Sequence, residues 1–382
     1  MRLTRRLFLL QAAVLAPAAY YLGVYRRPQA QPVRASVPAT FAQVGAIQAL
    51  GNGRWIRCFQ AADATLYLHG GLASHDGGRT VQPQQAIDVE AINATPERAV
   101  LATPDMFYAV GGRAEPLSPG RYRLRAWRST DGLRTLAEEQ AQLEIPAGSP
   151  APEEDAWYGL YVHRNILVMP DGSWLLTMYG NFSVDRQEPP DRSSRHEVKY
   201  MMRSFVLTSS DAGRNWRFLA TVAAPRPDDP IGEGFVEPTM TRLDDGRLLC
   251  IMRTGHHYPL YASWSSDHGR SWTSPVYTGL DRGCSPCVIT LGDGRVALGW
   301  GRRYPEAWSR LDEAGDVARF EYPGHGQVCL ALSSDGGTSW MNQVTATGVG
   351  SCYPTIIEVE PGVIFTQVDQ WIWRITLARQ ET

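Results

Sequence analysis

Net charge is almost absent: 37 Lys and Arg stand against 39 Asp and Glu, leaving a formal charge of −2. A nucleic-acid binder would show a basic face and a high isoelectric point, so that class is excluded. Helical periodicity is also nearly missing; apolar and polar residues alternate in short runs, the period of half-buried strands. The chain has no P-loop, no dinucleotide fingerprint, no His-Glu-x-x-His and no Gly-x-Ser-x-Gly. Cysteine is scarce, with six in 382 residues. Cys58, Cys250 and Cys329 fall inside apolar strand patterns, where a small buried side chain suffices. Cys284-Ser285-Pro286-Cys287 has the C-x-x-C spacing but neither the second pair nor the His cluster of a tetrahedral zinc site. Cys284 and Cys352 read as free or bridged, and no metal or organic cofactor is expected.

What is present starts at the amino terminus. Thr4-Arg5-Arg6-Leu7-Phe8-Leu9-Leu10 and the apolar residues through Tyr25 resemble a twin-arginine export signal. An ordinary signal or a short membrane anchor is the alternative, since the apolar run is near bilayer-spanning length. Residues 28–38, rich in Pro, Gln and Ala, read as a linker. The expected organisation is a signal or anchor plus linker over 1–38 and a folded body over 39–382. The expected location is the periplasm or the exterior, with membrane contact only through the anchor.

Two turn types recur through that body. Ser-x-Asp-x-Gly-x-x-Trp appears at Ser209–Trp216, Ser265–Trp272 and Ser333–Trp340, with degraded versions at Ser74–Val81 and Ser129–Leu136. A glycine turn between apolar runs appears at Asn52-Gly53, Pro119-Gly120, Asp171-Gly172, Asp245-Gly246, Asp293-Gly294 and Pro361-Gly362. Six units over residues 41–382 give about 57 residues each, enough for four strands and their loops. The expected fold is all-β, a six-bladed propeller of four-stranded antiparallel blades, with 41–150 the less regular part. Asp88–Ile145 forms either an irregular blade or a small β-sandwich insertion, and a strand from near Phe41–Leu50 completes the last blade.

The intact Ser-x-Asp turns resemble the Asp-box of the sialidase superfamily. In such a turn Asp and Ser side chains satisfy backbone N–H groups, so the motif is structural. The resemblance implies a central pocket whose residues lie just before the first strand and just after the second strand of each blade. On that basis Arg164, Arg253 and Arg302, with Arg303 close behind and Arg310 and Arg319 open, are the candidate clamps for a substrate carboxylate. A guanidinium offers a planar, always charged fork of donors for that task. Sialidases carry Arg-Ile-Pro where this chain has Arg164-Asn165-Ile166, so the match there is partial. Tyr353 resembles the family's nucleophile, a phenol that avoids the repulsion a carboxylate would exert on an anionic sugar. Glu237 is the base that takes its proton. Asp369 stands where the family has a Glu orienting the first arginine. The general acid comes from the loop over Gly180–Met202, where Asp185 is preferred over Glu188 and Asp191. Glu237 and Arg253 are sixteen positions apart (253 − 237), as are Tyr353 and Asp369 (369 − 353), which places four polar residues at one rim.

The resemblance therefore implies an exported exo-glycosidase that removes a terminal, acidic sugar from a glycan with retention, with carbohydrate as partner. A polysaccharide lyase using Tyr353 with His163 or His257, another glycoside hydrolase, and a non-catalytic glycan-binding propeller are the alternatives.

Overall fold

The computed structural model describes residues 40–46, 58–68, 72–84, 92, 98–146, 159–182, 184–185, 187–188, 200–226, 229, 231–255, 258–280, 283–303, 326–347, 354–368 and 371–377. The expected export signal and linker lie outside these, as do Asn52-Gly53 and Cys352. No helix among the described residues is long and apolar enough to cross a membrane.

The described residues form 24 strands. β1 is Thr40–Ala46; β2–β5 are Phe59–Gln60, Leu66–Leu68, Leu72–Ser74 and Gln82–Pro83. β6–β9 are Arg98–Thr103, Met106–Ser118, Arg121–Ser129 and Ala137–Glu144, and β10–β13 are Leu160–Val168, Trp174–Gly180, Arg203–Ser209 and Asn215–Ala223. β14–β17 are Val236–Arg242, Leu248–Arg253, Tyr261–Ser265 and Val276–Tyr277; β18–β21 are Gly283–Thr290, Val296–Arg303, Gly326–Ser333 and Met341–Thr347. β22–β24 are Thr355–Glu360, Val363–Val368 and Trp371–Thr376.

β2–β5, β14–β17 and β18–β21 are four-stranded sheets in chain order, and a fourth has the order β1-β24-β23-β22. β1 pairs antiparallel with β24, from Thr40↔Thr376 to Ala46↔Trp371, so the start of the folded body supplies the outer strand of the last sheet. The other eight strands close on themselves as β10-β11-β12-β13-β9-β8-β7-β6. Within them β6–β9 and β10–β13 are each an antiparallel run of four. Parallel pairings join them at both ends, Arg164↔Ala99 with Asn165↔Val100 and Asn215↔Gln142 through Arg217↔Glu144. Residues 98–144, expected to form an irregular blade or a small β-sandwich insertion, are thus an antiparallel four-stranded run with register shifts between Gly111 and Glu115 and between Pro116 and Ser118. The Pro119-Gly120 turn joins its second and third strands rather than its first and second, so it is not equivalent to Asp171-Gly172.

The Ser-x-Asp turn joins the third and fourth strands in five of these four-stranded units. Ser265 Oγ donates to Asp267 Oδ1 at 2.8 Å and accepts from Gly269 N, while Asp267 accepts from Ser271 N at 2.8 Å and Ser271 Oγ at 2.6 Å. The same bonds recur around Asp76, Asp131, Asp211 and Asp335. The two degraded copies are therefore full turns, although the Ser74 copy lacks the Trp and the Ser129 copy lacks both the Trp and the motif glycine, whose position Leu133 fills. In all five, the two residues after the Asp have positive φ, as in His268 at 60° and Gly269 at 84°. The second of these is pressed against the preceding unit: a Cβ on Gly213 would meet the Tyr108 ring at 2.7 Å, and one on Gly78 the Phe365 ring at 2.3 Å. In the Ser129 turn Leu133 stands there, buried with Phe59 and Tyr67 of the preceding sheet.

Hydrogen bonding holds the turn carboxyls below the ordinary value of 3.8. Asp267 sits at about 2, chiefly through the Ser271 hydroxyl, and Asp131 at about 2, chiefly through the Thr135 N–H. A carboxyl whose folded value is depressed contributes stability that is complete above its unfolded value and lost as pH falls through the folded one. Thermal unfolding followed from pH 6 to 2.5 is therefore expected to show a flat Tm down to about pH 4 and a falling one below it. Asp267→Asn should lower the plateau and flatten the acid limb; an unchanged limb would count against this origin.

The core lies between units. Leu175, Val206, Met240 and Cys250 share one cluster, and Leu249, Ile251, Val288 and Leu298 the next. First strands pack on first strands: β6 on β10, β10 on β14, β14 on β18, β18 on β22 and β22 on β2. Cys58, Cys250, Cys284, Cys287 and Cys329 are buried. Burial pushes the Cys58 thiol up to about 12, so it is protonated and unreactive at neutral pH.

Candidate active site

Three first strands, β10, β14 and β18, carry the same irregularity near their start. Register shifts fall between His163 and Ile166, Val236 and Thr239, and Cys284 and Cys287. Inside each sits a non-glycine residue with positive φ: Arg164 at 66°, Glu237 at 48° and Ser285 at 45°. Glu237 and Ser285 each precede a proline, which further restricts the backbone. Such conformations cost on the order of 1–3 kcal/mol each and persist only where surroundings over-determine them. Here the surroundings are one another.

The backbone N–H of Ser285 donates to Glu237 Oε2 at 2.6 Å. Arg164 Nη2 donates to Ser285 O at 2.7 Å and to its Oγ at 3.0 Å. Glu237 Oε1 accepts from Arg253 Nη1 at 2.8 Å, and Glu233 accepts from Arg253 Nη2 at 2.7 and 2.9 Å. His163 Nδ1 meets the Pro238 carbonyl at 2.8 Å, a contact only its N–H can make, and Nε2 lies 3.4 Å from Ser285 Oγ. Thr177 Oγ1 donates to the carbonyls of His163 and Pro238, tying β10, β11 and β14 together. Every one of these side chains is less than 9% exposed. By formal charge the two guanidiniums are balanced by the two carboxylates.

A cavity of about 430 Å³ is lined by residues of β2, β6, β10, β18 and β22 and the positions just before them, among them Cys58, Arg98, Arg164, Cys287 and Thr355. Arg164 belongs both to its wall and to the buried network. Arg98, 4% exposed, donates from Nε to Ile92 O at 2.7 Å. No cluster of three or more His, Cys, Asp or Glu able to hold a metal occurs among the described residues.

Residues 105–366, more than half of the chain, match the BNR repeat-like domain. The chain belongs to that family. No curated protein matches it. Among solved structures, this BNR repeat-like protein resembles one of unknown function from Dyadobacter fermentans DSM 18053, at 15% identity and TM-score 0.56, over 89% of this chain and 99% of the other. It also resembles a Hadza microbial sialidase, Hz136, at 14% identity and TM-score 0.53, over 85% of this chain and 65% of the sialidase. An α-L-arabinanase from Penicillium chrysogenum, in complex with arabinobiose, aligns at 12% identity and TM-score 0.54, over 91% and 99% of the two chains. At such identities the likeness is one of fold.

Of the candidates named from sequence, Arg164, Glu237 and Arg253 come together in this BNR repeat-like protein through Ser285. The hairpin separation of sixteen is realised: Arg253 pairs in the backbone with Val236 and bonds the Glu237 side chain. Arg302 stands half-buried at the corresponding end of β19, its backbone facing Gly283. Asp185 is elsewhere. Both its oxygens accept from Arg203, at 2.5 Å each, and that guanidinium lies 4.5 Å over the Phe182 ring. Asp185 thus pins the base of the 181–200 loop and shares no hydrogen bond with the Arg164–Glu237 network. Glu188 is exposed. Tyr353, Asp369, Asp191, His257, Arg310, Arg319 and the Arg303 side chain lie outside the described residues.

Glu233 and Ser285 were missed as site residues. Glu233 lies between Gly232 and Gly234 with no periodic pattern to mark it. A signal for Ser285 did exist: Glu237-Pro238 and Ser285-Pro286 are both x-Pro pairs and hold equivalent positions near the start of β14 and β18.

Proposed function

We propose that this chain is an exported exo-glycosidase on a six-bladed propeller, removing a terminal acidic sugar with retention. The observation that carries it is the buried Arg164–Ser285–Glu237–Arg253 network built on three strained residues at the heads of β10, β14 and β18, beside a cavity to which Arg164 also belongs. Buried charges on strained backbone in a core that apolar residues would fill more cheaply are the mark of a working site. The blade count is supported by four four-stranded sheets plus two four-stranded runs, with first strand packed on first strand. Export is supported by residues 4–25 alone.

In this mechanism Tyr353 attacks the anomeric carbon and Glu237 takes the phenol proton. An ordinary phenol titrates near about 10, so a neighbouring base is required. Thr355, two residues beyond Tyr353, lines the cavity with Arg164, which supports the placement of the nucleophile. Arg164, Arg253 and Arg302 hold the substrate carboxylate, with Arg303 in reserve, and Asp369 orients Arg164. Asp185 can deliver a proton to the leaving oxygen only after release from Arg203.

One observation favours a second reading. Glu233 and Glu237 flank Arg253 and cancel its charge and that of Arg164, which weakens the pull on an anionic sugar. Two adjacent carboxylates are the equipment for hydrolysing a neutral sugar. The fold is shared with an arabinanase as well as with a sialidase.

Fluorogenic α-sialoside, β-uronide and α-L-arabinofuranoside, with the first-formed anomer observed by proton NMR, separate these readings. Turnover of an acidic glycoside with retention is the expected result. Arabinofuranoside turnover alone would transfer the proposal to a neutral sugar. An ultraviolet-absorbing unsaturated product would indicate elimination, and no turnover of any of the three would sink the enzymatic proposal.

A further inference from the structure

A second cavity, of about 290 Å³, opens between the end of β13 and the connection from β16 to β17. Its wall is aromatic and held still. The Trp272 indole N–H donates to Gly269 O at 3.0 Å. Tyr261 meets Phe235 edge-on, centroids 5.9 Å apart, and a tilted Tyr277 at 6.3 Å. Both Trp272 and Tyr261 keep part of their surface exposed.

The rim is polar. Arg226 is exposed, and Asp229 uses Oδ2 to accept the Arg226 backbone N–H at 2.7 Å. Burial raises the Tyr261 phenol above its ordinary value, and the Asp229 carboxylate, close enough to be felt, raises it further. Thr273 and Ser274 complete the opposite edge.

A sugar ring has the matching chemistry. Its C–H face packs on an immobile aromatic surface, and its hydroxyls are donors and acceptors for a guanidinium, a carboxylate and a phenol at the edge. The formal charges of Arg226 and Asp229 cancel, which suits a neutral sugar over an acidic one. The volume is at the low end of ligand pockets, about 300–1,000 Å³, the scale of one ring rather than an oligosaccharide. The position matters too. Asp229, Ile231 and Phe235 line this cavity, and Glu233, between them in sequence, bonds Arg253 in the buried network.

We propose that the cavity bounded by Tyr261, Trp272, Arg226 and Asp229 binds one neutral sugar unit of a glycan, as a subsite beside the Glu233 loop. This rests on the carbohydrate reading above but not on hydrolysis.

The test is saturation-transfer NMR and calorimetric titration of the full chain with lactose, cellobiose and arabinobiose. Arg226→Ala and Asp229→Asn alter the rim, with thermal melting to establish that they fold, and Glu237→Gln alters the central network. At least one disaccharide is expected to bind with Kd near about 1 mM. Its affinity should fall at least tenfold in Arg226→Ala and Asp229→Asn and stay within twofold in Glu237→Gln. The proposal is overturned if none of the three binds, or if binding survives both rim substitutions. It is equally overturned if binding disappears in Glu237→Gln, which would place the sugar in the central pocket. A chain that turns over no glycoside but binds in the expected pattern would remove the hydrolytic function and leave this subsite standing.

Discussion

Arg253→Ala is expected to lower the unfolding free energy by about 3–5 kcal/mol, the cost of stripping the partner from buried ionised groups. Arg253 is buried with Glu237 at 2.8 Å and Glu233 at 2.7 Å, so its removal strands two carboxylates. Urea denaturation measures the loss as a lower midpoint at unchanged slope. The triple variant Arg253→Met, Glu233→Gln, Glu237→Gln should recover much of it, because the penalty comes from uncompensated charge rather than from lost packing. A loss under about 1 kcal/mol in Arg253→Ala, the range of exposed ion pairs, would mean that the carboxylates reach water. Glu237 would then not be the desolvated base that the mechanism needs.

Tyr353→Phe is expected to cut kcat by more than about 10³-fold, the scale on which enzymes lose activity when a covalent nucleophile is removed. KM and Tm should change little, since the substitution deletes one hydroxyl and leaves the ring. Glu237→Gln should also lower kcat, but its loss should shrink as pH rises toward the phenol's own titration, where the proton leaves without help. Activity within tenfold of wild type in Tyr353→Phe would move the nucleophile elsewhere. A parallel fall in Tm would assign Tyr353 to the core. Both outcomes are read from one steady-state series and one melting curve.

The turns were legible because their chemistry is local. Ser265, Asp267, Gly269 and Ser271 complete each other's hydrogen bonds within seven residues, so the motif appears in sequence wherever it occurs in space. The copies at Ser74 and Ser129 looked degraded because Trp was counted as part of the motif and, at Ser129, because Leu133 holds the glycine position. Trp packs against a neighbour, as Trp216 does against Tyr108 and Trp174, and Val81 or Leu136 can take that place. Pro119-Gly120 misled for the converse reason: a tight turn states that two strands meet, not which pair of a sheet they are.

The site divides along the same line. Glu237 and Arg253 were found because a hairpin brings its own two ends together, and sixteen residues span a known length of ladder; Arg164 was found from its resemblance to the arginine of the sialidase Arg-Ile-Pro. Asp185 was preferred as the acid because its loop is long and charged, yet its partner Arg203 on β12 fixes what it touches. Ser285 and Glu233 join elements 48 and 20 residues from their partners, beyond any periodic signal.

The sequence by itself determined the alternating strands and the five Ser-x-Asp turns. Each is set by backbone sterics and hydrogen bonds among near neighbours. Only the tertiary structure decided that Ser285 links Arg164 to Glu237, that Glu233 shares Arg253, and that Asp185 is held by Arg203. Those pairings depend on how separate sheets pack, and the cost of burying each charge is met only by a partner that distant parts of the chain bring to it.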